Sequence, residues 1–191
     1  MHSIILASKS PRRKELMSLI PIQFIIQTKE VEEYISLQDS PEENVKRLAK
    51  EKAQAIGKDY KNEWILGCDT VVVYEEEILG KPKDEEDARK MLSKLSGKAH
   101  FVYTGIALYN ESKGKLIQKA VCSKVFMKDI SKEELNWYIS TGEPFDKAGG
   151  YGIQGFASNF IEKIEGDYFN IVGLPVCTIY NLLKEEGLIT L

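Results

Sequence analysis

The chain has 191 residues, of which 43% are hydrophobic and 29% charged, the composition of a folded protein with room for a sizeable core. A formal net charge of -3 and an isoelectric point near 5.6 argue against a general nucleic-acid coat or a polybasic membrane anchor. No apolar run approaches the roughly 20 residues that span a bilayer, and the N-terminus lacks the basic and apolar regions of a signal peptide, so a cytoplasmic protein is expected.

Ser3 to Ala7 reads as a strand that breaks into Ser8-Lys9-Ser10-Pro11-Arg12-Arg13 and then into a helix ending near Ile20. With Ser10 as N-cap and Pro11 as first helical residue, backbone N–H groups, hydroxyls and two guanidiniums gather where an anion would fit. The alternative is an ordinary capped helix with solvated arginines. Two cations at the unfavourable end of the helix dipole count against that alternative. Phe24 to Gln27 reads as a strand, followed by an acidic turn with Glu30, Glu32 and Glu33. Ser40-Pro41-Glu42-Glu43 opens a long helix with a capping box, and Gly57 is its stop. Its apolar stripe of Val45, Leu48, Ala49, Ala53 and Ile56 includes Lys52.

Trp64 to Leu66 and Val71 to Tyr74 read as strand interrupted by Gly67-Cys68-Asp69-Thr70, with Ile78 and Leu79 folding back as a hairpin. A helix begins at Asp84 and closes at Gly97. Phe101 to Tyr109 and Leu116 to Met127 are strands joined by the turn residues Asn110 to Gly114. Ser131 and Glu134 form a second capping box. A glycine-dense stretch from Glu143 to Gly155 then precedes a strand over Phe160 to Glu165 and a helix from Pro175 to Glu186. Hairpins mixed with helices predict an α/β protein with a mixed, strongly twisted sheet, flanking helices and two lobes around a cleft, forming a single domain over 1–191.

Cys68, Cys122 and Cys177 have no Cys-x-x-Cys spacing and are expected to be buried small hydrophobes. With His2 and His100 the only histidines, a histidine-rich metal site and a Ser-His-Asp triad are poorly supplied, and if a metal is used, oxygen ligands with Mg²⁺ or Mn²⁺ are the expectation. Asp69 lies between apolar runs, where an ionised group needs a partner. It reads as a metal ligand, a proton acceptor from water, or a harmless kink. Lys52 poses the same problem with opposite sign, unless it snorkels. Glu33 is either a solvated face or a ligand, and Lys81, held by Pro82, either points into a site or is a plain turn lysine. Gly150-x-Gly152-x-x-Gly155 matches the dinucleotide fingerprint by letter only, because no strand leads into it and no helix follows. Asp146, Lys147, Tyr151 and Gln154 are polar groups that this loop could present to a ligand. Arginines and lysines for phosphate oxygens, with two carboxylates for a hard cation, point to a nucleotide hydrolase.

Several ordered motifs carry a resemblance across nearly the whole chain. They are Leu6-Ala7-Ser8-Lys9-Ser10-Pro11-Arg12-Arg13, Glu32-Glu33, Arg47-Leu48-Ala49-Lys50-Glu51-Lys52-Ala53, Cys68-Asp69-Thr70-Val71, Gly80-Lys81-Pro82, Leu95-Ser96-Gly97, Glu143 through Gly149, Tyr151 through Gly155, and Val172-Gly173-Leu174-Pro175. The sequence resembles the Maf family of nucleotide pyrophosphatases, with Gly150 and Cys68 standing where alanine is usual. The resemblance implies a fold similar to inosine-triphosphate pyrophosphatases and hydrolysis of a nucleoside triphosphate between the α and β phosphates with a divalent cation. It makes Asp69 the proton acceptor, Ser8, Arg13, Lys52 and Lys81 phosphate-binding residues, and Glu33 with Asp69 the residues that orient metal and water. Arg12, Thr70 and Gln154 match the positions tied to substrate choice in the dTTP and UTP subgroup. The family is further linked to homodimers, cell-division arrest and clearance of non-canonical nucleotides. Enzymes preferring modified nucleotides such as 5-methyl-UTP or 7-methyl-GTP, and a nucleotide-responsive binding protein with little turnover, are the alternatives.

Overall fold

The computed structural model describes residues 3–189, so His2 lies outside the described residues. The strands are β1 (Ser3–Ala7), β2 (Gln23–Ile26), β3 (Trp64–Tyr74), β4 (Glu77–Leu79), β5 (Ala99–Asn110), β6 (Lys115–Met127) and β7 (Ile161–Glu165). The helices are α1 (Pro11–Met17), α2 (Pro41–Gly57), α3 (Glu85–Leu95), α4 (Lys132–Ser140), α5 (Tyr168–Val172) and α6 (Val176–Glu185). The strands form one seven-stranded sheet in the order β2-β1-β3-β5-β6-β7, with β4 paired to β3. β1 runs parallel to both β2 and β3, while β3–β4 and β6–β7 are antiparallel, so the sheet is mixed as the sequence predicts.

Local chemistry starts the helices where expected. Ser10 caps α1 by accepting the Arg13 N–H, and Ser40 and Ser131 each form a complete capping box with Glu43 and Glu134. α1 stops at Met17, short of Ile20, because Leu19 and Ile20 bond back to Leu16 and Met17 in tight three-residue turns ahead of Pro21. α5 was not signalled by the sequence. The largest departure is β3, an unbroken strand through Gly67-Cys68-Asp69-Thr70.

The reason for Gly67 is spacing. A Cβ there would lie 2.1 Å from the Ala49 carbonyl oxygen and 3.0 Å from the Ala53 nitrogen, and one at Gly105 would lie 2.2 Å from the Val45 oxygen. Both glycines therefore admit the backbone of α2 onto the sheet. Ala7, Ala49, Ala53 and Ala107 continue the small-residue contact among Ile5, Ile56 and Ile65.

The chain divides into two compact units. One contains the described parts of Met1–Asp69, Thr104–Val121 and Gly173–Leu191, with the α2 core just described; the other contains Thr70–Tyr103 and Cys122–Val172. The second has its own core, in which Leu92, Val125, Tyr138 and Phe160 are fully buried. His100 is buried there too, its Nε2 lying 2.5 Å from the Tyr151 hydroxyl. Burial lowers the His100 pKa from 6.5 to about 4. A depressed folded pKa contributes stability that is complete above pH 6.5 and lost as pH falls to about 4. A gap from 6.5 to about 4 corresponds to about 3 kcal/mol. Urea unfolding of the wild type and His100→Asn should therefore show the wild type losing about 3 kcal/mol more between pH 7 and pH 4; equal losses would contradict a neutral buried imidazole.

Candidate active site

The strand order 2-1-3 places β1 between the strand that follows α1 and the strand that follows α2, a topological switch point. In open sheets, ligands bind beyond the carboxyl ends of strands at such a point. Two segments meet there in the first unit. β1 ends at Ala7, paired with Gly67, and hands over to Ser8 and α1; β3 runs on past that last pair to Asp69.

Asp69 is buried at 6% exposure. Lys52, projected from α2, places its Nζ 2.5 Å from Asp69 Oδ1 and 2.7 Å from Glu33 Oε1. Lys52 therefore does not snorkel into solvent; its side chain is 16% exposed and bridges two carboxylates. Arg13 is held by three acceptors: Nε donates to the Gly173 carbonyl at 2.8 Å, and Nη1 to the Cys68 carbonyl at 3.0 Å and Ser8 Oγ at 3.4 Å. Ser8 Oγ also accepts the Ser10 N–H at 3.3 Å, which leaves its own proton for donation.

Burial dominates the electrostatics of Asp69 and raises its pKa above the usual 3.8, with Glu33 adding to the rise and Lys52 and Arg13 opposing it. A buried carboxylate with a raised pKa is a better proton acceptor than an exposed one. Neighbouring Cys68 is fully buried and burial pushes its thiol up to about 11, so it fills space and is not a nucleophile. Cys122 and Cys177 are exposed, contrary to the expectation that all three cysteines are buried.

The two carboxylates fit a hard divalent cation by their donor chemistry. Both already converge on one cationic atom, the Lys52 Nζ, and Mg²⁺ is commonly held by one or two carboxylates, with phosphate and water completing its shell. Among the described residues no group of three or more His, Cys, Asp or Glu is placed to hold a metal ion. The charges of Lys52 and Arg13 are balanced by Glu33 and Asp69, so a triphosphate would need further positive charge.

The first unit thus brings together Ser8, Arg13, Glu33, Lys52 and Asp69, with half-buried Arg12 one residue from Arg13 on α1. Thr70, Lys81 and Gln154 belong to the second unit. Thr70 is half-buried on β3, where strand alternation turns it to the face opposite Asp69; Lys81 and Gln154 are exposed. The glycine-dense stretch forms short 3₁₀ turns, not a strand and helix, so the dinucleotide fingerprint has no structural basis. Two of its four candidate polar residues turn inward: Tyr151 is buried against His100, and Lys147 donates to the Glu143 carbonyl at 2.7 Å and to Asp146 at 2.6 Å. The carbonyls of Cys68 and Gly173 were missed as anchors of Arg13, since no side chain signals them.

A mixed sheet with carboxylates and cations clustered at its switch point defines the class as a mixed α/β protein with a charged cluster at a strand end. The solved structure of the Staphylococcus aureus Ham1 protein shares this fold, with a TM-score of 0.56, 13% identity, and coverage of 96% of this chain and 99% of that one. The Maf-like protein family model matches residues 3–186, and the chain belongs to the Maf family. It is 48% identical to a dTTP/UTP pyrophosphatase of Geobacillus sp. (strain WCH70), covering 98% of this chain and 100% of the relative. It is 49% identical to one of Dictyoglomus thermophilum, covering 96% of each.

Proposed function

We propose that the protein hydrolyses dTTP and UTP to the monophosphate and pyrophosphate, with a divalent cation bound by Glu33 and Asp69. The observation that carries this reading is the buried Asp69 sharing the Lys52 ammonium with Glu33, in a chain nearly half identical to dTTP/UTP pyrophosphatases along its full length.

On substrate binding Lys52 leaves the carboxylates for a phosphate oxygen, which frees Asp69 Oδ1. Asp69 then takes a proton from water, the water oxygen bonds to phosphorus, and the α–β phosphoanhydride bond breaks with pyrophosphate leaving. Arg13, fixed by carbonyls, and the Ser8 hydroxyl stabilise charge on the phosphate oxygens without having to reorganise. Lys81 supplies further positive charge. The divalent cation, when bound, neutralises phosphate charge and favours deprotonation of water. Chelation with EDTA should abolish turnover, with recovery on adding Mg²⁺ or Mn²⁺.

Arg12, Thr70 and Gln154 set substrate choice in this reading. The Gln154 amide offers a donor and an acceptor, matching the carbonyl and imide edge of uracil and thymine. Gln154 is exposed, so Gln154→Leu should cost roughly 1 to 3 kcal/mol in kcat/KM for dTTP and UTP where the bound base is covered and its polar edge left buried and unpaired, and it should narrow discrimination against purine triphosphates. Unchanged discrimination across a triphosphate panel would remove Gln154 from base reading. The family resemblance supports a homodimer, which light scattering of the purified protein tests.

A further inference from the structure

Glu33 lies in the segment from Gln27 to Ser40, which forms neither helix nor strand. A chain without regular structure places a ligand well only if other contacts remove its freedom. Those contacts come from one face of α2. Asn44 is fully buried and grips Ser36 from both sides: its Oδ1 accepts the Ser36 N–H at 2.8 Å, and its Nδ2 donates to the Ser36 carbonyl at 2.9 Å. The same Nδ2 reaches the Asp39 and Ser40 carbonyls, each at 3.2 Å. Only an amide supplies donor and acceptor together at this length.

Arg47, one turn further along, donates through Nη2 to the carbonyl of Tyr34, the residue after Glu33, and to Asn44 Oδ1 at 3.0 Å. Its Nη1 is oriented by Glu51 at 3.2 Å, and its guanidinium lies 5.9 Å from the Tyr34 ring centroid. The helix that carries Lys52 thus also holds the backbone on the C-terminal side of Glu33.

We propose that Asn44 and Arg47 are positioning residues that clamp the Glu33 segment to α2 and so set the affinity of the Glu33–Asp69 pair for a divalent cation. The inference rests on the reading of Glu33 as a metal ligand. A clamp acting only on folding would change stability and leave cation affinity alone. Partners that orient ligands commonly change metal affinity by about 10- to 100-fold.

Two variants test this. Asn44→Asp keeps the acceptor and loses the donors; Arg47→Lys keeps the charge and loses the fork at a half-buried position. Amide hydrogen exchange of the protein alone and Mn²⁺ titration by electron paramagnetic resonance, with a non-hydrolysable dTTP analogue present, are measured for each. Exchange at the amides of residues 33–38 should accelerate about 10-fold, and half-saturating Mn²⁺ should rise about 10-fold, with Arg47→Lys showing both even if Asn44→Asp is unstable. Unchanged exchange in both variants would overturn the clamp. Faster exchange with unchanged Mn²⁺ affinity would overturn its role in positioning Glu33. Absence of Mn²⁺ binding by the wild type would instead overturn the metal reading, while the exchange data still judge the clamp.

Discussion

Asp69→Asn is expected to lower kcat for dTTP by about 10²- to 10⁴-fold, the usual contribution of a general base, while retaining nucleotide binding. Asparagine has nearly the same shape but cannot accept the proton from water. Melting should stay close to the wild type at pH 8 because two effects oppose. Burial raises the folded pKa of Asp69 above 3.8, so its contribution is greatest below that value and is lost as pH rises through the folded pKa; removing the carboxylate relieves that loss. Against this, Lys52 gives up one of its two partners and keeps Glu33. In the wild type the same raised pKa should move the acid limb of kcat/KM above the range of an ordinary aspartate. Steady-state kinetics and thermal melts measure both, and undiminished turnover by Asp69→Asn would remove Asp69 from the chemistry.

Gly67→Ala should destabilise the protein by about 3 kcal/mol or more, the upper range of overpacking, and remove activity along with stability. The added methyl meets the Ala49 carbonyl at 2.1 Å, with backbone on both sides of the contact and no flexible side chain to give way. α2 must then shift, and it carries Lys52, Asn44 and Arg47. Gly105→Ala should act alike through the Val45 oxygen at 2.2 Å. Gly80 has nothing within 4 Å of an added Cβ, so Gly80→Ala should stay within about 0.5 kcal/mol of wild type. Urea denaturation of the three variants tests the spacing argument; a Gly67→Ala protein as stable as Gly80→Ala would contradict it.

Features governed by neighbouring residues were legible in the sequence. Ser10, Ser40 and Ser131 announce their helices because a cap is settled within four residues. Lys52 stands out because a charge on an apolar stripe needs a partner, and Asp69 does for the same reason. Gly67 was misread as a strand break because its role depends on a helix that packs from elsewhere in the chain. The glycine-dense stretch misleads similarly: Lys147 and Tyr151 look presentable to a ligand, yet Glu143 and His100 turn them inward. The clamp had one available signal, since Asn44 falls four residues before Leu48 on the buried stripe and a buried amide has to be bonded to something.

Hydrolysis between the α and β phosphates is read directly by ³¹P NMR of the products formed from dTTP by the wild-type protein with Mg²⁺. With the wild type, dTMP and pyrophosphate are expected in equal amounts, their signals growing together, and with Asp69→Asn both should grow about 10²- to 10⁴-fold more slowly. Appearance of dTDP and orthophosphate would contradict it.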